Sequence, residues 1–155
     1  MIRKFTVKDI EQAEKLARAF YFPDLWEESD CCSTRLKIYP KGCLAAEINN
    51  ALVGYSFSHP WTTDKIVNLG DKIEMPPSPD CYYIHDVCVD VNYHGKGIGK
   101  LLAQKTMELN TFNTVMLVSV LGSHTFWKTF GFQIVREIQY SKKNRAFVMK
   151  YTRNA

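Results

Sequence analysis

The residues best suited to chemistry lie in one short run, His94-Gly95-Lys96-Gly97-Ile98-Gly99-Lys100. Glycines at 95, 97 and 99 let the backbone turn tightly and let a ligand approach without meeting a Cβ. Ile98, Leu101, Leu102 and Leu109 follow with helical spacing, which predicts a helix over 97–109. Such a helix aims its first amides, unpaired and partly positive, back at the glycines. Lys96 and Lys100 add formal charge, so the run has the composition of a phosphate site. Two familiar phosphate loops do not fit. A Walker A loop needs Gly where His94 stands and Ser or Thr where Leu101 stands. The dinucleotide fingerprint needs unequal glycine spacing, whereas these three are evenly placed.

The elements that must hold this run follow from periodicity. Tyr82–Val89, rich in β-branched and aromatic residues, predicts a strand that leads directly into the glycines. Residues 2–6 read as a short first strand. Thr6 is placed to cap a helix over about 8–20, with Ile10, Ala13, Ala17 and Phe20 on one face. A weaker helical pattern covers 24–38. Leu44–Ile48 and Leu52–Ser58 read as strands joined by Asn49-Asn50, a pair suited to positive φ in a tight hairpin. Val115–Leu121 has the near-continuous apolar pattern of a buried strand. A short helix at 123–130 and strands near 132–140 and 144–151 end the chain. The sum is a mixed α/β fold over 1–155 as a single domain, in the order β-α-α-β-β-β-α-β-α-β-β. Between the third and fourth strands, 62–79 carries the Met75-Pro76-Pro77-Ser78-Pro79 cluster and reads as a long loop, begun by His59-Pro60-Trp61.

Composition sets outer limits. With 155 residues and 46% apolar content, the chain can bury one sizeable core. It has no run near the roughly 20 apolar residues that span a bilayer. No apolar segment follows the basic N-terminal residues, so a secretory signal is not expected. Five cysteines without metal-type spacing fit reduced thiols in the cytoplasm. A net charge of +4, with no basic run, admits an anionic ligand but gives no nucleic-acid footprint.

The segment Val89–Leu102 resembles motif A of the GNAT superfamily of N-acetyltransferases, written [RQ]-x-x-G-x-[GA], whose amides hold the pyrophosphate of coenzyme A. Downstream, Phe126-Trp127-Lys128-Thr129-Phe130-Gly131-Phe132 resembles that family's F-Y-x-x-x-G-F segment. The two matches stand in the family's order, within the family's succession of elements.

The resemblance implies a central mixed sheet flanked by helices and acyl transfer from a CoA thioester, acetyl-CoA by default, directly to an amine. It implies pyrophosphate binding by His94, Gly95, Lys96, Gly97, Ile98, Gly99 and Lys100. It also implies strand-like pairing of the pantetheine arm with the backbone of Val87, Val89 and Val91, an amide near Val87–Val89 serving as oxyanion donor. Two positions depart from the family pattern. His94 stands where Arg or Gln is usual, and Trp127 replaces the Tyr that often protonates the leaving thiolate. His124 and Tyr93 are neighbours of that missing acid. His85 is the candidate general base, with Tyr83 on its strand face, while strict alternation turns Asp86 to the other side and Cys88 with it. Asp24, Glu27, Glu28 and Asp30, with Tyr21, Phe22 and Trp26, suit a cationic acceptor with an apolar part. A small amine, a peptide acceptor and a non-catalytic acyl-CoA sensor are all compatible with these residues, and C-terminal edge strands are free to pair in a homodimer.

Overall fold

The computed structural model describes residues 1–27 and 31–153. In chain order it contains β1 (Ile2–Lys4), α1 (Ile10–Tyr21), α2 (Cys31–Ile38), β2 (Cys43–Ile48), β3 (Ala51–Trp61) and β4 (Cys81–Val89). There follow α3 (Ile98–Leu109), β5 (Thr114–Ser119), α4 (His124–Lys128), β6 (Gln133–Gln139) and β7 (Arg145–Thr152). The strands form one sheet in the order β1-β2-β3-β4-β5-β7-β6. Only β4 and β5 run parallel, with α3 as their crossover. No helix among the described residues is long and apolar enough to cross a membrane.

Local chemistry places these elements where the sequence puts them. Asn49 and Asn50 both take positive φ, 51° and 65°, and close the β2–β3 hairpin. The Thr6 amide donates to Asp9 Oδ2 at 2.8 Å, and Arg3 grips the same carboxylate through two nitrogens at 2.8 Å, fastening the start of α1 to β1. Of the expected helix at 24–38, the structure describes α2 from Cys31; residues 28–30, with Glu28 and Asp30, lie outside the described residues.

The sheet has two apolar faces. Tyr55, Phe57 and Cys88 pack with Ala13 and Leu16 of α1, while Tyr82, Ile84, Val115 and Leu117 pack with Ala103 of α3 and Trp127 of α4. β3 extends three residues past its expected end, so His59 and Trp61 are strand residues rather than the start of a loop. The loop proper, 62–80, is anchored: Trp61 Nε1 donates to the Lys65 carbonyl at 2.8 Å, and Val67 and Ile73 are buried against Tyr83 and Val148.

Two irregularities open the middle of the sheet. β4 and β5 pair only over Tyr82–Ile84 with Val115–Leu117, so beyond Ile84 they splay apart. At the same point the β3–β4 register jumps from Phe57–Asp86 to Ser58–Ile84, which leaves His85 as the extra residue of a β-bulge. The bulge shifts the alternation by one. Tyr83, His85, Asp86 and Cys88 therefore all serve the α1–α2 face, and Val87 and Val89 the α3 face, where they pack with Leu102. Asp86 is thus on the same side as His85, contrary to strict alternation, because an extra residue resets the period.

Candidate active site

A cleft of about 520 Å³ runs through the splay. One wall is the backbone of β4 from Ile84 to Val89, and the other is the end of β5 with Leu121, Ser123 and Trp127. Beyond Ile84 the β5-facing edge of β4 has no strand partner among the described residues, so its polar groups, the Val89 carbonyl apart, are open to a ligand running alongside. The cleft reaches the glycine run at one end, where His94, Gly95, Gly97 and Gly99 line it.

The glycine run is built as an anion cradle. Gly95 and Gly97 take φ of 77° and 81°, the left-handed region that costs any other residue about 1 kcal/mol or more. Gly97 is the N-cap of α3, and the first helical bond is from the Leu101 amide to the Gly97 carbonyl at 3.0 Å. The amides of Ile98, Gly99 and Lys100 precede that bond and point outward. Asp90 shapes the entry to the loop by accepting from the Asn92 amide at 2.9 Å. His94 does more than fill the usual Arg or Gln position: its Nε2 bonds the Val89 carbonyl at 2.8 Å, and its ring meets Phe20 edge-on. The side chain braces the end of β4 against the loop.

Of the backbone groups expected to follow a pantetheine arm, those of Val87 and Val89 lie on the open edge. Val91 falls beyond the strand, in a 3-10 turn over Val91–Tyr93, because Asp90 and Asn92 start a new hydrogen-bonded turn. Lys96 lies beside the cleft rather than on its wall, its Nζ 5.4 Å from the Tyr93 ring centre.

The three expected catalytic side chains separate. His85 lines the cleft. Tyr83 does not: it is buried, and its hydroxyl accepts from the Val67 amide at 3.2 Å, holding the long loop. His124 faces away as well, edge-on against Phe147, with its Nδ1 buried and without a hydrogen-bond partner among the described residues. Trp127 is packed against Phe126, Phe130 and Phe132 and offers the cleft an apolar wall where a tyrosine would offer a proton. Tyr93 does line the cleft.

His85 belongs to a charged cluster that the sequence does not announce. Its Nε2 lies 2.8 Å from Glu27 Oε1 and 2.9 Å from an Arg35 guanidinium nitrogen. Glu27 Oε2 is 3.6 Å from the same guanidinium and accepts from the Gly70 amide at 3.2 Å. Burial works against the Glu27 charge, but His85 and Arg35 outweigh it and hold the carboxyl near a pKa of about 2. Cys31 Sγ joins Glu27 and His85 within 4.8 Å, the spacing of a three-ligand metal set. The cluster does not fit a cation: Arg35 already places a fixed positive charge there, and burial pushes the Cys31 thiol far up, away from the thiolate that binds metal. Arg35 carries no sequence signal, since only the fold brings it from α2 to the bulge.

Asp86, beside His85, accepts from Tyr21 Oη at 2.6 Å and Tyr55 Oη at 2.7 Å, and burial raises its pKa despite both bonds. Asp24 plays a different part from the expected one. Its Oδ2 takes the Ser141 hydroxyl, the Asn144 side-chain amide at 2.6 Å and the Lys143 backbone amide at 3.2 Å, tying the α1–α2 segment to the β6–β7 hairpin.

The strand splay, the bulge and the glycine cradle at the start of α3 together make a cleft with an open strand edge and an anion-binding end. The sequence pattern of the acetyltransferase (GNAT) family matches residues 7–132. The chain belongs to the GNAT family. The uncharacterized N-acetyltransferase YkwB of Bacillus subtilis (strain 168) is 30% identical over 124 residues, covering 70% of this GNAT chain and 54% of YkwB. The chain thus spans about half the length of that relative. Among solved structures, Ard1 from Thermoplasma volcanium superposes with a TM-score of 0.78 at 18% identity, covering 100% of this chain and 98% of Ard1. Naa50 of Arabidopsis thaliana, in complex with a bisubstrate analogue, CoA-Ac-MVNAL, superposes with a TM-score of 0.73 at 18% identity, covering 98% and 97%. The fold is the one these solved structures share.

Proposed function

We propose that this chain is an acetyl-CoA-dependent N-acetyltransferase that acts on the primary amine of a small molecule. The acetyl-CoA pyrophosphate sits on the amides of 95–99, the His94 amide being taken by the Val91 carbonyl, and its pantetheine arm runs along the open edge of β4. The amine nitrogen attacks the thioester carbonyl, the carbon–sulfur bond breaks, and CoA leaves as its thiolate. The β4 amides near Val87–Val89 stabilise the oxyanion. His85, which lines the cleft with its ring held by Glu27 and Arg35, takes the proton from the amine. Trp127 cannot protonate the thiolate, whose modest basicity lets it leave unassisted.

The observation that favours a small acceptor over a peptide is the Asp24 tie. A peptide needs an open groove between the α1–α2 segment and the β6–β7 hairpin, and that tie joins the two lips. Calorimetric titration with acetyl-CoA, followed by thiol release on panels of small amines and of peptides, tests the reading. Micromolar binding that a Gly97→Glu/Gly99→Glu variant loses, with turnover on small amines alone, is the expected result. Turnover on peptides alone, or no acetyl-CoA binding, overturns it.

A further inference from the structure

The acceptor half of the cleft has a particular charge balance. Glu27 is neutralised by Arg35 and engaged by His85 and the 62–80 loop. Asp24 is consumed by the β6–β7 hairpin. Glu14, on the outer wall, has partners of its own. Asp86 differs. Its two oxygens accept from the neutral phenols of Tyr21 and Tyr55, and among the described residues no lysine or arginine is ion-paired with it. The bulge turns it into the cleft immediately beside His85. Phenol hydroxyls orient the carboxyl group without supplying a countercharge, so an ammonium arriving there offsets the cost of burial and favours the charged form.

Much of the surrounding wall is apolar. Leu25, Trp26, Phe57 and Leu69 line the cleft together with the polar side chains. Glu14 and Glu27 are already engaged, so the several hydroxyls or extra ammonium groups of an aminoglycoside or a polyamine would compete for groups in use, and each one buried unpaired costs roughly 1–3 kcal/mol. The wall does reward burial of one apolar body of ring size.

We propose that Asp86 is the anchor for the acceptor's ammonium, and that the acceptor is a monoamine with an apolar, ring-sized body, an aryl-alkylamine by chemical class. The inference rests on the acetyl-transfer reading and narrows it. Asp86 holds the cation at the bulge, and His85, the adjacent residue, receives the proton that frees the nitrogen for attack. Tyr21 and Tyr55 are positioning residues that keep the carboxylate turned toward the cleft.

The test uses the intact chain with 2-phenylethylamine, spermidine and a short peptide as acceptors. Amine binding to protein saturated with CoA is read by calorimetry, which needs no turnover, and kcat and KM with acetyl-CoA are read by thiol release. The expected result is kcat/KM for 2-phenylethylamine at least tenfold above the other two. Asp86→Asn should raise its KM at least tenfold and weaken its binding to the CoA complex equally, with acetyl-CoA affinity unchanged. Tyr55→Phe, a milder change in the same contact, should raise KM several-fold. Spermidine or peptide equal to or better than the arylamine overturns the acceptor class while leaving acetyl transfer standing. An unchanged arylamine affinity in both variants overturns the anchor. Arylamine binding without transfer to any amine keeps the anchor and overturns the acetyl-transfer reading instead.

Discussion

His85, Glu27 and Arg35 make one unit, in which the carboxylate and the guanidinium both reach the imidazole Nε2, at 2.8 and 2.9 Å. His85→Ala should lower kcat at least a hundredfold with little change in acetyl-CoA affinity; an unchanged pH–rate profile would remove His85 from the mechanism. The same cluster shapes stability. An ordinary glutamate titrates near 4.5, whereas Glu27 is held near 2, so the unfolded chain binds the extra proton between those values. Its stabilisation is complete above about pH 4.5 and is lost as pH falls toward 2. His59 acts earlier. Burial depresses it from 6.5 to about 3, so the unfolded state gains a proton that the fold refuses, and stability declines as pH drops below 6.5. Urea midpoints measured from pH 7 downward should therefore fall in two stages. Glu27→Gln should flatten the stage below 4.5 and His59→Phe the one that begins at 6.5.

The elements around the cradle separate two glycines that look alike in sequence. Gly97 caps α3 in the left-handed region, while Gly99 is helical and a Cβ there would meet only Val89 Cγ2 at 3.7 Å. Gly97→Ala should cost about 1–2 kcal/mol of stability, and Gly99→Ala should be neutral or gain up to about 1 kcal/mol. Thermal and denaturant unfolding of both variants checks the contrast. Such local rules are why the strand–glycine–helix unit, the Asn49-Asn50 hairpin and most element limits are legible in the sequence. The bulge is not. Tyr82–Val89 reads as a regular strand, and nothing in its composition marks His85 as the inserted residue, since bulges answer to the neighbouring strand's register. One such residue was enough to misplace Asp86. The pattern predicts a helix over 24–38, of which 31–38 is helical and 24–27 is not; Arg35 within it reaches His85 across 50 positions of chain, a contact no local pattern encodes. The separation of His124 and Tyr83 from the cleft has the same origin: both sit near the expected positions in sequence and are turned away by packing against Phe147 and the 62–80 loop.

At the scale of the whole molecule, three segments remote in sequence converge over the acceptor half: the α1–α2 segment, the 62–80 loop and the β6–β7 hairpin. Asp24 joins the first to the third, and Glu27 joins the first to the second. Asp24→Ala should loosen this cover, raising the KM of a small amine several-fold while acetyl-CoA affinity holds; unchanged amine kinetics would show that the tie does not shape the acceptor pocket. The splay between β4 and β5 has a further consequence. Because the strands part through the full thickness of the sheet, the cleft has lining residues from both layers, α1 and Trp26 on one side, α3 and α4 on the other. Two reactants can then arrive through separate doors, and neither has to wait for the other to be seated. Initial-rate kinetics should show random order: an unreactive amine analogue competing with the amine yet acting noncompetitively, not uncompetitively, against acetyl-CoA, and either substrate trapped productively when it is bound first.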